Sequence, residues 1–227
     1  MAKERRVVDG QGAPVRAPVN GWLHLGGAAL AAVGLVVLAV EAQAHGSWRH
    51  LVGAWTFGLS ALFMFGASAL YHLTPRSRRA ALYRRLDHAM IYVFIAGTYT
   101  PVCLIALRDS ALGASLLVVV WALAVAGVVQ KTVWMRSPRG LSTSIYVGLG
   151  WIGALAAPAL LRAAPPALFA WLLVGGVVYT VGAVFYWRRW PRGRPGLFGF
   201  HELWHVCVLA ASAAHYWAVL SYVVPLR

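Results

Sequence analysis

The chain has 227 residues, of which 60% are hydrophobic and only 11% charged, a composition too apolar for an ordinary soluble domain. A formal net charge of +14 would suit a polyanion, yet the basic residues sit in short breaks between apolar runs rather than in a nucleic-acid-binding stripe. A soluble enzyme and a nucleic-acid partner are therefore excluded. Seven runs are each long enough to cross ~30 Å of hydrocarbon, which predicts an all-α membrane protein, a bundle of seven transmembrane helices.

The first 18 residues are polar, contain Gly and Pro, and read as a disordered tail ahead of a membrane domain over 19–227. Span one is expected at 21–41. A basic start, an apolar run and "AQA" at 42–44 also fit a cleaved secretory signal. The run is longer than a signal core and the leading region holds Asp9, so a span is the better reading. His24, His45 and His50 read as residues near the membrane interfaces. Span two, 50–74, closes on "SALYH", with Ser68 one turn before His72 on the same face.

The break "HLTPRSRRAALYRR" leads to span three, 86–107, which opens on "LDH" with Asp87 in its first turn. Thr98 and Thr100 beside Pro101 suit the repair of a kink. Spans four, five and six, at 111–130, 141–161 and 166–187, hold no acid, base or histidine. After "RRWPRGRPG", span seven, 200–224, begins with "HELWH" and carries His215 deeper, where an interhelical hydrogen bond is expected. His88 and Glu202 read as bystanders.

With seven spans, the tail and the breaks after spans two, four and six share one side of the membrane. That side holds Lys3, Arg5, Arg6, Arg16, Arg76, Arg78, Arg79, Arg84, Arg85, Lys131, Arg136, Arg139, Arg188, Arg189, Arg192 and Arg194, or 16 of the 20 lysines and arginines. The positive-inside rule predicts a cytoplasmic N-terminus and an external C-terminus, in a multi-pass protein of the cell membrane, the inner membrane if bacterial. Anionic inner-leaflet headgroups are the expected electrostatic partner. Cys103 and Cys207 then differ in depth by roughly 10–15 Å, beyond disulfide reach, and read as small buried side chains.

In that orientation His72, Ser68, Asp87, His201 and His205 reach one layer near the cytoplasmic face from three helices. Ionisable groups inside spans are costly and mark functional sites. Three neutral imidazoles with an open fourth position form the ligand set of a catalytic zinc site, and zinc lowers the pKa of a coordinated water to about 7. Asp87 has the chemistry to accept a proton, and Ser68 to hydrogen-bond water or a substrate oxygen. "HELWH" is also the pentapeptide of zinc proteases. A zincin needs a third ligand downstream, but position 211 is Ala211 and no acid follows Glu202, so the soluble-protease reading fails.

"SALYH", "RRLDHAMIYVFIAGTYTP" and "HELWHVCVLAASAAHYWAV", in this order on spans two, three and seven, resemble the haemolysin III proteins, the bacterial branch of the progestin and adiponectin receptor family. The resemblance covers all seven spans. It implies a seven-helix bundle with the N-terminus inside and one zinc ion held by His72, His201 and His205, with Ser68 and Asp87 beside it and no role for Glu202. It also implies lipid chemistry, since eukaryotic relatives are associated with ceramide hydrolysis and with sensing membrane fluidity. The expectation is a zinc-dependent hydrolase of lipid amides in membrane-lipid homeostasis, holding an N-acyl lipid or free fatty acid in the bundle. The alternatives are a non-enzymatic membrane sensor with a structural zinc, and a cytolytic protein.

Overall fold

A computed structural model describes residues 18–74, 79–134, 138–193 and 198–226. The tail expected over 1–18 falls outside them except for its last residue, as do Arg76, Arg78, Arg136, Arg194 and Arg227. The described residues are helical nearly throughout, and seven helical stretches are long and apolar enough to cross a membrane: Pro18–Ala44, Trp48–Leu73, Ala80–Ala106, Ala111–Val133, Gly140–Ala163, Pro166–Arg188 and Phe200–Val223.

The first is α1 (Pro18–Ala44) and the second α2 (Trp48–Leu73), whose N-cap Ser47 accepts a bond from the Arg49 N–H. The third, α3 (Ala80–Pro101), begins six residues before the expected 86. "AALYRR" consists largely of good helix formers, so the helix continues beyond the apolar run that hydropathy detects. Pro101 has no N–H to give Gly97, and a π turn over Val102–Ala106 follows it. Thr98 and Thr100 donate back to the Ile95 and Ala96 carbonyls at 2.7 and 3.0 Å, and the Trp121 indole of α4 (Ala111–Val133) donates to Thr100 Oγ1 at 3.2 Å.

Span five is not one continuous α-helix. It runs as α5 (Arg139–Trp151), a 3₁₀ turn (Ile152–Ala156) and α6 (Ala157–Ala163). Pro158 cannot bond Ala154, and the Tyr99 hydroxyl of α3 fills the break, accepting from the Gly153 N–H at 2.8 Å and donating to the Gly150 carbonyl at 2.6 Å. Spans six and seven are α7 (Pro166–Arg188) and α8 (Phe200–Ala218), the latter ending in a π turn (Val219–Val223).

Helix α1 packs between α2 and α8, α3 lies on α2 and α4, and α7 lies on α8 and α5. Small residues allow the close approaches, as expected where lipid offers no hydrophobic drive for helix association. A Cβ on Gly97 of α3 would collide with Ser60 of α2, and one on Gly175 of α7 with the His215 ring of α8. The core between the helices includes Leu38, Phe57, Met64, Tyr92, Phe94, Val120 and Leu168. Leu30, Val118 and Leu155 point outward with about 70% of their surface exposed (73%, 69% and 73%), an arrangement suited to contact with lipid. Cys103 and Cys207 are both free thiols.

Candidate metal centre

The first two turns of α8 carry His201 and His205, four residues apart and so on one face. The last turn of α2 brings His72 to them. Ring centroids are 4.9 Å apart for His201–His205, 5.1 Å for His72–His201 and 4.9 Å for His72–His205, a nearly equilateral triangle. One ring nitrogen from each lies within 4.8 Å of the others, and among the described residues no other three His, Cys, Asp or Glu side chains come together in this way. The Nε2 atoms of His201 and His205 are 3.3 Å apart. Zinc–nitrogen bonds of 2.0–2.1 Å at a tetrahedral angle separate two ligand atoms by about 3.3 Å. The donor set of three imidazoles and the His201–His205 spacing are therefore compatible with a metal ion of zinc's size.

Ser68, one turn before His72, is buried, and its hydroxyl has no partner of full hydrogen-bond geometry. Asp87, in the second turn of α3, brings its carboxylate towards that hydroxyl. Both residues, with His24, His201 and His205, line a cavity of about 450 Å³. This is the size of a small-molecule or lipid-tail site. Beyond the histidines its wall is mostly apolar and aromatic (Ile91, Phe94, Ile95, Phe169, Leu172 and Val208 among others), reaching Tyr99 and His215. From Asp87 to Tyr99 along α3 is about 18 Å at 1.5 Å per residue, so the cavity runs deep into the bundle. Arg84, Lys131 and Arg189 also line it. Lys131 is buried, reaches Ser142 of α5, and lies with its ammonium 5.9 Å from the centre of the Tyr146 ring.

Two of the three residues between the histidines of HELWH, Glu202 and Trp204, have structural partners rather than a protease's arrangement. Glu202 does not face the histidine cluster. One of its oxygens accepts the Gly199 N–H at 2.8 Å, closing the start of α8, and the other accepts the Asn20 side-chain amide at 3.1 Å. It is a structural clamp between α8 and α1, a part that the sequence reading did not give it. Trp204 packs on Tyr186 with ring centroids 5.7 Å apart.

His24 does differ in its place from the sequence reading. It is not an interface residue but 3% exposed, with Nε2 2.8 Å from Nδ1 of His205 and its ring edge-on to Phe65. The signal was available: His24 lies in the second turn of a span that starts on the same side as span seven, so the same depth argument puts it in the layer of His205. His88 lines the cavity outside the cluster. His45 is exposed and bonds the Glu41 carbonyl, and His50 reaches the Leu226 carbonyl at 3.0 Å. His215 reaches the Leu172 carbonyl on α7 at 3.1 Å, the interhelical bond expected of it.

A sequence model of the family described as haemolysin-III related matches residues 14–216. Hemolysin-3 of Bacillus cereus is 36% identical over 207 residues, covering 91% of each chain. The Hemolysin-3 homolog of Bacillus subtilis (strain 168) is 37% identical over 206 residues, 90% of this chain and 93% of its own. More distant are the human monocyte to macrophage differentiation factor, 25% identical over 182 residues (77% of this chain, 71% of that one), and the heptahelical transmembrane protein ADIPOR2 of rice, Oryza sativa subsp. japonica, 29% identical over 201 residues (75% and 82%).

Proposed function

The chain belongs to the haemolysin-III related family, a multi-pass protein of the cell membrane, and on that premise we propose that it is a zinc-dependent hydrolase of lipid amides. The observation that supports this is that His201 and His205 of the histidine cluster lie with Asp87 and Ser68 in the wall of a deep, mainly apolar cavity. His72, His201 and His205 would hold the ion. Zinc there supplies a Lewis acid for a carbonyl and the means to ionise water at neutral pH. The cavity takes an acyl chain and brings its amide to the polar end, excluding bulk water along its apolar length.

Asp87 takes the proton of the attacking water and returns it to the leaving nitrogen as the carbon–nitrogen bond breaks, giving a fatty acid and an amine. The Ser68 hydroxyl donates to the carbonyl oxygen as charge develops on it. Arg84, Lys131 and Arg189 suit an anionic headgroup or the carboxylate of the product.

The test uses purified protein with ceramides and related N-acyl lipids in bilayers, following fatty-acid release with and without a chelator. Release should require zinc. Asp87→Asn should keep its zinc and lose ~10²–10⁴-fold in turnover, the usual contribution of general acid–base help. Equal turnover in Asp87→Asn removes Asp87 from the reaction. No release from any of these lipids by zinc-loaded protein favours a second reading, a membrane sensor. That reading rests on the ligands coming from two helices, so that an ion would staple α2 to α8. The name of the Bacillus relatives points to cytolysis, but a cavity lined mainly by apolar residues suits an acyl chain better than a water-filled pore.

A further inference from the structure

Helix α1 supplies none of the three clustered histidines, yet two of its buried polar side chains meet the turn of α8 that carries two of them. Asn20 and His24 are four residues apart and share a face. On α8 their partners, Glu202 and His205, are three residues apart and share a face as well. Asn20 Nδ2 donates to Glu202 Oε1 at 3.1 Å, and His24 Nε2 lies 2.8 Å from His205 Nδ1. Asn20 is fully buried and His24 almost so.

We propose that His24 is a positioning residue of the metal centre, setting the tautomer and ring orientation of the ligand His205. The proposal rests on the metal reading above. His205 turns Nε2 toward His201 and the centre of the cluster, so Nε2 is its ligand atom. A ligating nitrogen carries no proton, which leaves the proton of the neutral ring on Nδ1. That N–H has one partner, His24 Nε2, which must therefore be the unprotonated nitrogen of its own ring.

Metal-bound histidines are held in this way by a second group, most often a carboxylate or a backbone carbonyl. Here the acceptor is an imidazole. It is neutral, so it adds no charge to an apolar layer, and its ring packs edge-on against Phe65. The Asn20–Glu202 bond holds the two helices in the register that lets the rings meet. Metal binding would then tie α1, as well as α2, to the start of α8.

The test measures zinc affinity of the full chain by competition with a chromophoric chelator, and the absorption of the Co²⁺-substituted protein. His24→Phe keeps an aromatic ring on Phe65 but removes the acceptor. It should bind zinc ~10–100-fold more weakly, the usual effect of losing such a partner. At saturation it should still hold one ion with an unchanged tetrahedral cobalt spectrum. His50→Phe, which alters a buried histidine at the other end of α2, should match wild type in both. Wild-type zinc affinity in His24→Phe overturns the proposal while leaving the metal site intact. An altered cobalt spectrum in His24→Phe also overturns it, because His24 would then be a ligand. No zinc or cobalt binding by the wild-type chain instead removes the metal reading itself. A measurement on the unaltered protein makes the result independent of whether variants fold. Nitrogen NMR of histidine-labelled, zinc-loaded chain should find His24 protonated on Nδ1, and a proton on Nε2 sinks the idea.

Discussion

Replacing His205 with Ala removes one corner of the cluster, and with it a partner of both His24 and His201. Three-nitrogen sites do not hold zinc well on two nitrogens, so His205→Ala should purify without the roughly one ion per chain expected of wild type. His215→Ala should retain it, because His215 lies ten residues further along α8 with its Nε2 on the Leu172 carbonyl. Elemental analysis decides: metal kept by His205→Ala, or lost equally from both variants, would falsify the ligand assignment. Glu202 separates this centre from a protease by the same kind of measurement. In Glu202→Gln the amide oxygen can still accept from Asn20, but no second oxygen remains for the Gly199 N–H. The helix start should weaken by about 1 kcal/mol, seen as a lower thermal midpoint in detergent, while zinc content stays at the wild-type level. Loss of zinc in Glu202→Gln would mean that its carboxylate does more than clamp helices.

Between elements, the position of Ser68 and His72 relative to Asp87 depends on how closely α2 lies on α3. Gly97 sets that distance, since any Cβ there meets Ser60 of α2. Gly97→Ala should destabilise the bundle by about 1–3 kcal/mol through overpacking, and adding Ser60→Gly should restore much of it. A Cβ on Gly66, also in α2, would meet nothing within 4 Å, so Gly66→Ala should be neutral or stabilising. Thermal unfolding of the three variants tests this, and a destabilised Gly66→Ala with an unaffected Gly97→Ala would contradict the packing described. The ends and interruptions of the helices were less legible than their existence. Hydropathy reports where apolar side chains stop, and α3 continues a turn and a half beyond that point because Ala80 to Arg85 favour helix in water too. The 3₁₀ turn in span five depends on Pro158 and also on a tyrosine from α3, and only the first of these is local.

For the molecule as a whole, charge predicts the orientation. The Arg192 loop lies between α7 and α8, at the end of the bundle that carries the histidines, and counting crossings along the sequence assigns 16 of the 20 basic residues to its side. We expect single cysteines at positions 78 and 192 to be shielded from an impermeant thiol reagent in intact cells, and one at 227 to react. Cys103 and Cys207 are replaced by Ala in the background. Ready labelling at 78 or 192 would invert the topology and place the cluster at the outer face. The anionic headgroups expected at the cytoplasmic leaflet and the basic residues around the cavity, Arg84, Lys131 and Arg189, would then no longer meet.

The sequence by itself determined the solvent, the number of spans and the layer in which histidines from α2 and α8 lie. These depend on local composition and on counting crossings, because hydrocarbon penalises every unpaired polar group wherever it sits. Rotation of each helix about its axis and the order of helices around the bundle are not written in hydropathy. Only the tertiary structure decided that His24 faces His205 across 181 residues, that Glu202 holds Asn20 across 182, and that an apolar cavity opens beside the cluster. Each of these is a meeting of side chains from helices far apart in the chain, made by close packing at small residues, and packing is a property of the assembled bundle rather than of any one span.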